Sequence, residues 1–234
     1  MQQYIYDSFD IEISARSIYD YLRRERWSRK AVQAVAAEQS LPLRLAWQGI
    51  QPQWEDDQLV FIDESASNER TGDRKYGWSP IGIACRVTRP LKRSERWSIL
   101  PALCNEGYID WMVHHGAITA DLFVEFIRER VLPQCTPFPG VRSVIVMDNA
   151  SIHKDRRIRE ACDEAGVYLK FLPPYSPDFN PIEATFKDLK TWIQQNYYRV
   201  EEFEVFSDFL EFAIEQVCRR DVRCHFRTSG YIVR

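Results

Sequence analysis

Apolar and polar positions along this 234-residue chain change their rhythm part-way. In the opening third the spacing is helical. QQYIYDSF reads as a turn or two of apolar-rich helix, broken by FDIEI. Ser14 then stands as an N-cap for ARSIYDYLRRERW, in which Ile18 and Leu22 share a face at i, i+4. Two short helices across a tight turn, the second one basic, outline a helix-turn-helix. From residue 59 the rhythm becomes that of strands. Leu59–Ile62 is a continuous apolar run ending in Asp63, and Val144–Met147 is another ending in Asp148. Runs without alternation belong to strands covered on both faces. IGIACRVTR, RWSILPALC, GYIDWMVHHG and VYLKFL are further expected strands. Among them, Thr119 caps an amphipathic helix, ADLFVEFIRERVL, that Pro133 stops, and DRRIREACDEAG ends on Gly166 as a C-cap. A last helix is expected from Pro181 to Gln195. The order predicts a mixed α/β layout, with a sheet in the middle and helices on its faces.

Composition narrows the class. With 45% hydrophobic and 28% charged residues the chain can bury one good core and a small appendage. No apolar run approaches the roughly 18 residues of a membrane span. The stretch MQQYIYDSFD lacks the basic and apolar regions of a signal peptide, so the expectation is an intracellular protein that meets no membrane. The six cysteines form no CxxC pair, as expected of reduced thiols, and Cys218, Cys224 and His225 match no usual zinc spacing. A net charge of −3 does not announce a nucleic-acid binder, but the charge is segregated. Arg16, Arg23, Arg24, Arg26, Arg29 and Lys30 crowd the second predicted helix and its exit. Arg86, Arg89, Lys92, Arg93 and Arg96 form a second basic stretch, and HKDRRIR, with Arg157, a third. Residues 201–215 carry six carboxylates and no base. Such segregation makes either solvated faces or local phosphate-binding surface.

The chemistry centres on three acids. LPPYSPDFNPIE (172–183) places four prolines in twelve positions and stops on Glu183. Proline fixes φ and lacks an N–H, so this stretch is a stiff loop rather than a central strand or helix interior. Asp63 and Asp148 end apolar strands, and ligands in α/β sheets gather outside the carboxyl ends of strands. Clustered carboxylates repel unless a cation sits between them, and Mg²⁺ or Mn²⁺ prefers oxygen ligands. Two such ions suit in-line attack at a phosphodiester. Glu64 is the spare acid of its pair, since alternation sends it away from the side that Asp63 faces.

LVFIDES, VIVMDNASIH and LPPYSPDFNPIE resemble the three catalytic blocks of the mariner superfamily of DDE transposases. The 34 residues (149–182) between Asp148 and Glu183 match a spacing shared by a large branch of that family. TGDRKYGWSP and the final HFR..GY resemble eukaryotic, especially fungal, members. The resemblance runs from about residue 14 to the C-terminus, and its proline-rich block is highly specific.

The resemblance implies an RNase H-like mixed sheet flanked by helices, preceded by a short helix-turn-helix-like segment, in an enzyme that cleaves and joins DNA strands with two divalent metal ions, Mg²⁺ or Mn²⁺. It makes Asp63, Asp148 and Glu183 the metal ligands, with Asn149 and His153 in support; His153 suits a structural role equally well. The prolines would then hold Glu183 ready for the two aspartates. DNA contacts are expected from Arg16, Arg23, Arg24, Arg26, Lys30, Arg93 and Arg157. Trp78, Trp97 and Trp111 can stack on an unpaired base, although aromatics on strands more often pack in a core. The implied partners are transposon ends and target DNA, with room for a homodimer, and the expected location is the nucleus. Relatives carry two helical DNA-binding modules, whereas Asp63 comes early here, and LAWQGIQPQWE departs from their charged helical connector. Residues 1–45 are therefore expected to be a partial helix-turn-helix and 46–234 the catalytic domain. Two other readings stay open: a non-catalytic, decayed or domesticated DNA-binding remnant, and a different RNase H-like nuclease.

Overall fold

The computed structural model describes residues 1–30, 36–73, 77–86, 95–218 and 221–233. The chain forms two compact units, Met1–Ala37 and Glu38–Arg234. The first holds helices α1 (Gln2–Phe9) and α2 (Ala15–Arg24), and neither buries a residue. Ser14 caps α2 as its sequence position predicts: its hydroxyl oxygen accepts the Ser17 N–H at 3.0 Å.

The second unit opens with α3 (Leu41–Ile50), started by Pro42 in its first turn, which lets Trp47 into the core. A six-stranded sheet follows. Its strands are β1 (Leu59–Ile62), β2 (Ser65–Ser67), β3 (Trp97–Cys104), β4 (Gly107–His115), β5 (Val144–Met147) and β6 (Tyr168–Phe171). β3 pairs antiparallel with β1, β2 and β4, whereas β5 runs parallel between β1 and β6. β1 and β5 are therefore central strands.

Their apolar runs are explained by two separate cores. Leu59, Phe61, Val144 and Val146 face one, which is completed by α6 (Pro181–Asn196), α7 (Phe206–Cys218) and α8 (Arg223–Thr228). Val60, Ile62, Ile145 and Met147 face the other, beneath α4 (Ala120–Phe126) and α5 (Arg156–Glu164). Every position of each run is buried because alternation sends it into one core or the other. On the first face Tyr231 packs edge-on against Phe61, with ring centroids 5.0 Å apart, and its hydroxyl donates to the Phe179 carbonyl at 2.9 Å.

Thr119 caps α4, which widens into a π turn over Ile127–Val131 before Pro133 closes it in a short 3₁₀ turn. Gly166 takes φ +68° just after α5, the left-handed geometry of a helix end. One expected strand is corrected. Ile81–Arg86 forms a turn and irregular chain, and residues 87–89 lie outside the described residues. Ile81 and Ile83 are exposed, and the described sheet contains no strand from this segment. β2, α7 and α8 carried no strand or helix expectation. Among the described residues no helix is long and apolar enough to cross a membrane.

Candidate active site

The register of β1 against β5 builds the site. Ile62 is the last residue of β1 and pairs with Met147, the last of β5. Asp63 and Asp148 follow directly, so two neighbouring parallel strands each deliver an acid at the same edge. Glu183 arrives from the first turn of α6. All three line one cleft of about 340 Å³, together with Asn149, Asn180 and the 172–177 loop.

Each acid has a different environment. Asp63 accepts hydrogen bonds from the Glu64 N–H and the Asn180 side-chain amide, both at 2.8 Å. Asn180 heads α6, yet its side chain serves Asp63 rather than capping the helix. Burial, with the charges of Asp148 and Glu183 added, pushes Asp63 up to about 7. Burial and the Asp148 charge also raise Glu183, against the pull of Lys190. Burial works to raise Asp148 as well, but the adjoining His153 imidazole and the bond from the Ala150 N–H outweigh it, and this acid stays below the ordinary carboxylate range.

His153 explains that contrast. Its side chain is fully buried, stacked at a tilt on Phe123 with centroids 4.5 Å apart. Nδ1 lies 2.6 Å from Asp148 Oδ1, an ion-pair approach whose N–H is not aligned for a good hydrogen bond. Nε2 meets both Glu64 oxygens, at 3.0 and 3.1 Å. Burial alone would lower the imidazole, but the two carboxylates overcome it and raise His153 to about 10. A histidinium thus sits between two acids.

The proline loop is braced from several sides. Asn149 donates its side-chain amide to the Leu172 carbonyl, tying the end of β5 to the loop entrance. Gln39 donates to the Tyr175 carbonyl at 2.8 Å, and Tyr175 takes φ 53°. Arg44 forks onto Asp178 and lies over the Phe179 ring, 4.3 Å from its centroid. With Tyr231 holding the Phe179 carbonyl, little of the loop is left to move.

The donor set is all oxygen, as hard divalent cations require. Among the described residues no group of three or more His, Cys, Asp or Glu side chains stands close enough together to hold a metal ion by itself. Burial raises Asp63 and Glu183 most, and the repulsion among the acids that adds to it is what a cation bound there would relieve.

The expected DNA contacts fall in different settings. Arg16 pairs with Asp20 at 2.8 Å, Arg24 lies 3.8 Å from Glu25, and Arg23 sits over Tyr19, all on α2 or its exit. Arg26 takes the left-handed φ of 61° after α2, and Lys30 is exposed. Arg157 is held by Asp155 and Asp121 at 2.8 and 2.7 Å. Arg93 lies outside the described residues. Trp97 and Trp111 pack against the core, whereas Trp78 is exposed. Sequence reasoning missed Glu64, Asn180, Arg44 and Asp178 as supports. Asn180 lay in the quoted Asn-Pro-Ile-Glu motif, but no local signal joins Glu64 to a histidine 89 residues away.

The model of the DDE superfamily endonucleases matches residues 58–204, which contain all three acids. The chain belongs to this family. Among solved structures, this DDE endonuclease chain is similar to the Mos1 transposase paired-end complex with left transposon end, at 17% identity and a TM-score of 0.64 over 97% of this chain and 73% of that one. The Mos1 strand transfer complex gives 17% and 0.65 over 97% and 72%. The catalytic domain of Mos1 mariner transposase gives 13% and 0.54 over 86% and 91%. These likenesses establish the fold, an RNase H-like mixed sheet flanked by helices. A comparison with curated protein sequences finds no match.

Proposed function

We propose that this DDE endonuclease is a mariner-type transposase catalytic chain, cutting and joining DNA strands by two-metal phosphodiester chemistry, with Asp63, Asp148 and Glu183 as ligands. One observation carries the reading: two adjacent parallel strands and a braced loop direct three carboxylates into a single cleft. Bound Mg²⁺ or Mn²⁺ would supply Lewis acidity at the attacking and leaving oxygens. The chain's own part is to hold Asp148 ionised through His153, to bond Asp63 through Asn180, and to fix Glu183 by the loop braces. Preorganised ligands spare the reaction a conformational search.

The solved Mos1 complexes contain transposon-end DNA, which supports transposon ends and target DNA as partners here. The cationic surface of α2 is suited to phosphate contact, and a homodimer working in the nucleus accords with the same reading. Asn149 and His153 act as supports of the ligands rather than as ligands themselves.

The test is plasmid nicking by the purified full chain. Nicking is expected with Mg²⁺ or Mn²⁺, absent in EDTA, and lost in Asp148→Asn. Cleavage that persists in EDTA or survives that substitution would remove this cleft as the catalyst.

A further inference from the structure

Glu64 points to the opposite side of the sheet edge from Asp63. Asp63 bonds to Asn180 at the head of α6, whereas Glu64 reaches His153 on the side where Phe123 packs. The fork of Glu64 onto Nε2 has a geometric consequence. An imidazole held only at Nδ1 can swing about that contact, but a ring gripped at Nε2 by two oxygens, with Phe123 against its face, has its plane set. The direction of Nδ1 is then set too, and with it the place of Asp148 Oδ1. The Ala150 N–H and the His153 ring both approach Asp148 at Oδ1.

Resting on the metal-site reading above, we propose that Glu64 is a positioning residue of this endonuclease: acting through His153, it fixes the Asp148 carboxylate so that Oδ2 is left for a divalent cation. The logic is that of outer-shell carboxylates that orient metal-binding groups, whose loss typically costs about 10- to 100-fold in metal affinity or activity. A purely structural Glu64, there only to neutralise a buried cation, would affect folding and leave the metal response untouched.

The two roles separate in thermal melts of the full chain at rising Mn²⁺, paired with nicking measured over the same concentrations. The wild type should gain Tm with Mn²⁺, because a ligand that binds only the folded state stabilises it. Glu64→Gln should need about 10-fold more Mn²⁺ for the same gain and for half-maximal nicking, with most nicking restored at saturation. Glu64→Asp, which keeps the charge but withdraws it by one methylene, should fall between the two. A Glu64→Gln protein with lowered Tm but wild-type Mn²⁺ dependence overturns the proposal alone. If Glu64→Gln does not melt cooperatively, Glu64→Asp decides, and unchanged Mn²⁺ dependence again overturns it. A wild type that ignores Mn²⁺ in both measurements overturns the metal-site reading and this proposal together.

Discussion

Arg44 grips Asp178 through two N–H···O bonds of 2.8 and 2.6 Å, although 134 residues separate them. The arginine side chain is largely enclosed, and its guanidinium also covers Phe179. A helix from the start of the second unit therefore holds the loop that carries Glu183. Arg44→Ala should lower stability by about 1 kcal/mol, since a half-exposed ion pair and a cation–π contact are each worth roughly that or less. Its nicking rate should fall by more than this loss of stability explains. Arg44→Lys should recover only part, because an ammonium cannot fork. Urea melts alongside nicking rates check this; wild-type nicking by Arg44→Ala would show that the brace is not needed.

Asp63 sets a pH dependence. Its carboxyl is raised from 3.8 to about 7, so the folded chain holds that proton more tightly than the unfolded chain does. The stabilising contribution is complete below 3.8 and is lost as pH rises through about 7. In EDTA, Asp63→Asn should become progressively more stable than wild type across that window and level off above it. The slope should be on the order of 1 kcal/mol per pH unit at most. His153 titrates in both proteins and cancels from the comparison. Parallel melting curves for the two proteins across the window would contradict the assignment.

Asp148→Asn should behave in the opposite way. Asp148 is the partner of a buried histidinium, and removing its charge leaves that cation with Glu64 alone. The metal-free variant should lose about 1–3 kcal/mol at neutral pH, the usual cost of leaving a buried polar group without its partner. Denaturant titration reads this directly, and a variant as stable as wild type would mean that His153 is not held as a cation.

For DNA, the cations of α2 are exposed, and Arg16 and Arg24 already sit beside acids of their own helix. Phosphate contact should dominate over base reading, giving weak, salt-sensitive binding with little preference between duplexes. Titration of an element end and a scrambled duplex, each at low and physiological salt, tests this. Strong preference for the element end at the higher salt would reveal a complete targeting module.

The parts of the site legible in the sequence were those fixed by local pattern. An apolar run with no alternation implies a strand covered on both faces, hence a central one, and Leu59–Ile62 and Val144–Met147 are both of that kind. The prolines announced a stiff loop before Glu183. Relations between distant residues were not legible. Sequence reasoning gave Asp63, Asp148 and Glu183 one and the same role, as acids around a cation. The structure sets Asp148 apart from Asp63, because His153 meets both Glu64 and Asp148 only once the strand end and the 148–154 turn are folded together. IGIACRVTR misled for a related reason: its alternation is that of a strand, but a strand also needs a partner, and local pattern does not say which segments pair.

Tyr231 holds the carbonyl of Phe179 and wedges against Phe61 behind the site. Synthesis runs from the N-terminus, so Asp63, Asp148 and Glu183 all leave the ribosome well before that tyrosine. A nascent chain halted short of residue 231 would own every acid of the cleft while its loop still lacked this brace. A chain that stops before this tyrosine thus carries the three acids without the full support of the loop that presents Glu183.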